Sequence, residues 1–200
     1  MSFTPYATAI AGSVLTAAWL NTYVRDNGNF IKAVLDTAPV SYNPTLQNVV
    51  NSTARTAVIA FTVGASEMAD GDVIEIICSA LVKNNFGSPA VLLEAFWGST
   101  GVALSSATNW TANAAEVKQL LQFRLQRVGN DLWVRGQEAT AHPDLQLPTL
   151  DLTPGYSNVV TMTPTFTSSQ SVEVRLTFSA ANAQLYFKPQ KARVMKIRAA

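Results

Sequence analysis

Groups that change protonation or bind metals near neutral pH are scarce in this chain, with one histidine, His142, and one cysteine, Cys78, among 200 residues. A Ser-His-Asp or Cys-His site would have to use His142, which stands between Ala141 and Pro143 in a proline-rich stretch. An ordinary transition-metal site needs several His or Cys ligands, and one of each excludes that pattern. Cys78 lies in the apolar run 73–82, where a buried, inert thiol is expected and no intrachain disulfide can form. No glycine-rich loop of the phosphate-cradling kinds is present. Paired carboxylates remain. Asp70 and Asp72 flank Gly71 at a spacing that would suit calcium or attack on a sugar, but an ordinary turn asks for the same residues, and the turn is the preferred reading. Trp97, Trp110 and Trp133 are candidates for a glycan-stacking platform, set against the commoner placement of tryptophan in a core or interface. The expectation is therefore no catalytic residue, no metal, no cofactor and no enzymatic activity.

Composition bounds the rest. Hydrophobic residues make up 48% and charged residues 14%, against roughly 25% charged in ordinary soluble domains. A surface covered mainly by Ser, Thr, Asn, Gln and Ala suits lasting burial against neighbouring subunits. A net charge of +1 gives no global attraction to nucleic acid, and no nucleic-acid partner is expected. One local exception is the basic final stretch Lys188, Lys191, Arg193, Lys196 and Arg198, which reads as the solvent face of a strand or as a stripe meeting an acidic neighbour. Residues 7–20 are fairly apolar but interrupted by polar residues, too short for a membrane span and without the basic start of a signal peptide.

The elements that must position these residues fall into two parts. Residues 1–44 read as an extended arm and a short amphipathic helix. Thr16 is a good cap, and Trp19, Leu20, Tyr23, Val24, Phe30, Ile31 and Val34 recur at helical spacing, interrupted at Gly28. Pro39 and Pro44 end it, with residues 41–43 as a linker. Residues 45–200 change to strand periodicity. Apolar runs at 46–50, 55–63, 73–82, 91–97, 121–128, 132–140, 159–166, 172–178, 185–187 and 194–197 alternate with polar turns, the cadence of a β-sandwich. Residues 112–121 have helical propensity, but the alternation beginning at Leu121 carries them into a strand. The long segment 141–155, with its three prolines, reads as an exposed loop.

Two stretches carry a resemblance. Thr16-Ala-Ala-Trp-Leu-Asn-Thr-Tyr-Val-Arg-Asp-Asn resembles an N-terminal motif of structural proteins of tailed phages and prophages, with Leu20 inserted after Trp19 and Gly28 where an apolar residue is usual. Residues 51–63, 70–82 and 171–187, ending Ser-Ala-Ala-Asn-Ala-Gln-Leu-Tyr-Phe, are similar to the sandwich domain that often follows. The resemblance implies a virion component with a jelly-roll-like domain: a capsid decoration or cement protein, a head fibre, or a tail-fibre module recognising host glycans. Its implied partners are copies of itself, with a trimer favoured by analogy, and other virion proteins such as the major capsid protein. The amphipathic helical face would then be the assembly anchor.

Overall fold

In a computed structural model of the chain, residues 39–104, 108–109, 113–140 and 160–199 are described. The expected arm and helix lie outside them, as does the expected loop at 141–155. The compact unit runs Val40–Ala199. It is mainly β, built from two antiparallel sheets that share one core.

Thirteen strands are described, in the order β1 (Val40–Tyr42), β2 (Thr45–Leu46), β3 (Val49–Val50), β4 (Thr56–Val63), β5 (Val73–Asn84), β6 (Ala90–Trp97), β7 (Thr100–Ala103), β8 (Thr108–Asn109), β9 (Asn113–Val128), β10 (Asp131–Thr140), β11 (Val160–Met162), β12 (Gln170–Phe178) and β13 (Leu185–Ile197). The first sheet has the order β1-β13-β5-β9-β10-β11, with β3 also on β13. The second has the order β2-β4-β12-β6-β7, with β8 also on β6.

Period-two alternation explains the layers. Along β5 the burial alternates at every residue, so Ile74, Ile76, Cys78, Ala80 and Val82 face the core and Glu75, Ile77, Ser79 and Leu81 face outward. The same alternation buries Leu121, Phe123 and Leu125 on β9, and Val172, Val174, Leu176 and Phe178 on β12. β9 is a strand despite the helical propensity of its first half, because pairing with β5 on one edge and β10 on the other satisfies its backbone along most of its length. The two-residue turn after Val128 uses Gly129 at φ 62, which a hairpin of this length requires.

Four expectations need correction. Of residues 41–43, read as a linker, Ser41 and Tyr42 belong to β1, which with Val40 pairs with Val194, Met195 and Lys196. The run 46–50 is split, with Leu46 in the second sheet and Val49 in the first. Among the described residues of the run 159–166, only Val160–Met162 is strand. The runs 185–187 and 194–197 are one strand, β13, with a register shift between Pro189 and Lys191. Proline has no N–H for a ladder bond, so a bulge is where it is tolerated, and β13 is internal to its sheet.

Candidate functional sites

The Asp70–Asp72 turn is built to hold backbone. Asp72 is buried and accepts N–H bonds from Ala69 at 2.9 Å and Ala199 at 3.0 Å, while Asp70 accepts from Gly129 N–H at 2.7 Å. Both carboxyl groups hold backbone: Asp72 ties its own turn to the segment after β13, and Asp70 ties that turn to the β9–β10 turn. Among the described residues no group of three or more His, Cys, Asp or Glu could hold a metal ion.

Next to this turn lies a polar group that the sequence misassigned. Lys196, expected in the exposed basic stripe, is 2% exposed. Its Nζ donates to the Glu67 backbone oxygen at 2.6 Å and lies 3.9 Å from Glu67 Oε1. Glu67 also accepts from Tyr42 Oη at 2.8 Å and from Gly64 N–H at 2.8 Å. Burial, with the carboxylate of Glu67 beside it, raises the Tyr42 phenol well above its ordinary range. The cluster fastens β1 and the end of β13 to the 64–72 turn.

Cys78 is fully buried, and burial pushes its thiol up to about 12, which makes it inert near neutral pH. The two described tryptophans of the three candidates lie on opposite faces and form no platform together. Trp97 is in the core, donates from Nε1 to Thr165 O at 3.1 Å and packs edge-on against Phe166. Trp133 projects from the outer face of the first sheet and is 40% exposed. Trp110 lies outside the described residues, as do His142 and the anchor candidates Trp19, Leu20, Tyr23, Val24, Phe30, Ile31 and Val34.

Two outward faces carry chemistry. On the second sheet, Phe96 lies over Gly101, whose missing side chain makes room for the ring. The Arg175 guanidinium sits 3.9 Å from the ring centroid and Arg55 lies 5.6 Å away. Arg175 Nε donates to Glu173 at 2.6 Å. Arg55 Nε is 2.9 Å from Glu94 Oε2, off-axis, so that it forms an ion pair without a hydrogen bond. This arrangement escaped sequence reasoning because its members come from β4's approach, β6 and β12. The usable signal was Phe96 on the polar side of a strand whose alternate residues are core.

The outer face of the first sheet gathers most of the basic stretch and enlarges it. Register aligns Met195, Glu75 and Arg124 in one row, then Arg193, Ile77 and Gln122, then Lys191, Ser79 and Leu120, then Lys188, Leu81 and Lys118. Lys188 covers the Tyr186 ring at 4.0 Å. A hydrogen bond to Glu116 pushes the Tyr186 phenol up to about 12. Arg198 follows the end of β13 and is exposed.

No family model matches the chain, and no curated protein matches it. Solved structures similar to it include the catalytic domain of an endo-1,3-beta-glucanase (laminarinase) from Thermotoga petrophila RKU-1, at 10% identity and a TM-score of 0.28 over 70% of this chain and 69% of that one. A second is a conserved carbohydrate esterase from the Shiga toxin-encoding bacteriophage phi24B, at 9% identity and a TM-score of 0.29 over 83% of this chain and 93% of that one. Both neighbours are enzymes, and this overturns the expectation that the chain is not one. Likeness at this level assigns no reaction to it. What stands is a mainly β chain of two sheets whose solved neighbours include a phage protein.

Proposed function

We propose that the chain is a structural component of a phage virion, a decoration, cement or fibre protein that binds the assembled particle and stabilises it. The observation that carries this reading is the nested pairing of the strands. Taking β1, β4, β5, β6, β7, β9, β12 and β13 in order, the first pairs with the last, the second with the seventh, the third with the sixth and the fourth with the fifth. The rolled-up contacts β13·β5 and β12·β6 complete the pattern. That is one long hairpin folded over on itself, the jelly-roll arrangement met in viral capsid domains. This is an argument from fold and is joined to the resemblance around Trp19 to Asn27 and to a charge-poor composition that suits permanent interfaces.

In this reading residues 1–39 anchor the protein, and the two-sheet unit supplies a rigid body for contacts with copies of itself and with capsid subunits. The test is co-sedimentation with purified phage particles. The full chain should sediment with particles, and a chain beginning at Val40 should stay folded by circular dichroism but remain in the supernatant. Sedimentation of the shortened chain would overturn the anchor, and absence of the full chain from particles would overturn the virion reading.

A further inference from the structure

We infer that the outer face of the first sheet is a docking surface for an acidic, partly apolar protein surface. The inference stands independently of the virion reading, since it rests only on what this face presents.

β5 contributes an outward apolar column, Val73, Ile77 and Leu81, half-buried between its neighbours. Leu120 on β9 adds to it at 42% exposure, and Ile197 on β13 at 38%. Cations flank the column on both sides. Lys188, Lys191 and Arg193 come from β13, Lys118 and Arg124 from β9, and Lys83 lies at the end of β5 itself. Among the described residues the carboxylates on this face are Glu75, Glu116 and, at the corner beside Trp133, Asp131, which accepts from the Thr163 hydroxyl at 2.8 Å. Glu75 accepts from Gln122 Nε2 at 2.7 Å, and Glu116 accepts from the Tyr186 hydroxyl. Among the described residues no carboxylate pairs with Lys118, Arg124, Lys191 or Arg193.

Charge decides what fits. A second copy presenting the same face would set these cations against each other, a like-charge juxtaposition that opposes association. An acidic partner would instead meet each row with opposite charge. The apolar column then chooses between acidic partners. A nucleic-acid backbone would engage the cations but set phosphates and sugars against Ile77, Leu81 and Leu120, and stacking of bases needs exposed aromatic rings. Trp133 stands at one corner of the face, and the Tyr186 ring is already covered by Lys188. A folded polypeptide with an apolar centre and acidic margins satisfies both features, the usual anatomy of a protein interface. The outward residues of β5 span about 33 Å and four strands about 15 Å, a footprint of the order of one side of a standard interface.

The test uses the full chain and three labelled probes, measured by fluorescence anisotropy: a glutamate–tyrosine copolymer, polyglutamate, and a short DNA duplex of matched charge. The copolymer should bind at least about fivefold tighter than polyglutamate or the duplex at equal salt. Reversing charge with Lys191→Glu and Arg193→Glu together should weaken both polypeptides about tenfold or more. Leu120→Ser should remove the copolymer's advantage while leaving polyglutamate binding unchanged. All of these side chains are exposed, and matching near-ultraviolet circular dichroism with unchanged melting confirms folding. Ile77→Ser is a second probe of the apolar column. The inference is overturned if the duplex binds as tightly as the copolymer, if neither polypeptide binds, or if the charge reversal leaves their affinities unchanged.

Discussion

Single residues show most clearly where parity governs burial. Cys78 was legible because the alternate residues on its own side of the strand, Ile74, Ile76, Ala80 and Val82, are all apolar. Lys196 was not, because the bulge between Pro189 and Lys191 inserts one residue and exchanges the two faces of β13 beyond it. In an unbroken strand Arg193 would share the core face of Phe187. With the bulge, Val194 and Lys196 turn inward and Arg193 turns out. The buried ammonium group is held by the Glu67 backbone oxygen, so Lys196→Ala should lose roughly 2–4 kcal/mol in denaturant unfolding through lost packing and an unpaired acceptor. Lys196→Met, which keeps most of the stem, should lose clearly less; equal losses would show that packing of the stem contributes nothing. The raised acids set the alkaline limit. Cys78 and Tyr186 have folded values of about 12, and Tyr42 is raised as well. A raised folded value means stability that is complete below the unfolded value and lost as pH climbs through the folded one. The melting temperature should therefore hold to about pH 8 and fall steeply toward pH 12. Cys78→Ala should make that fall shallower, and an unchanged slope would remove the thiol from the account.

At the scale of elements, turn chemistry and strand alternation carried most of what the sequence revealed. β4, β5 and β6 were legible as apolar runs, and β9, β10 and β12 from runs that alternate or close a hairpin, all bounded by polar turns. The short strands β1, β2, β3, β7 and β8 were less so, because two to four residues hold no periodicity and their pairing depends on a distant partner. The two hairpin glycines allow a controlled comparison. Gly98 has φ 60 and Gly129 has φ 62, but a Cβ at Gly98 would collide with the Gln170 side chain, while one at Gly129 would meet nothing within 4 Å. Gly129→Ala should lose about 1 kcal/mol from left-handed strain alone. Gly98→Ala should lose more, about 2 kcal/mol or above, unless Gln170 moves aside. Adding Gln170→Ala to Gly98→Ala should bring the cost back toward that of Gly129→Ala, and failure of this rescue in urea unfolding would show that the side-chain clash is not the cause.

For the whole unit, the question is where it begins. Prolines at 39 and 44 pointed to a linker and a boundary at residue 45, since nothing local distinguishes a three-residue strand from an extended connection. The pairing distinguishes them. β1 is the first strand of the nested hairpin, hydrogen-bonded to β13. Its Tyr42 donates to Glu67 and packs its ring 5.2 Å from that of Phe61. Removing residues 40–44 therefore takes away the outermost pair of the nest, uncovers one edge of β13 and leaves Glu67 without its hydroxyl partner. A chain beginning at Thr45 should be less stable than one beginning at Val40 by roughly 2–4 kcal/mol, the order expected for one buried hydrogen bond and one aromatic side chain. Tyr42→Phe in the longer chain isolates the hydroxyl and should account for about 1 kcal/mol of that difference. Equal unfolding midpoints for the two chains would mean that β1 only lies along the sheet. The nested pairing would then start at β4, and the jelly-roll argument would lose its outermost strand pair.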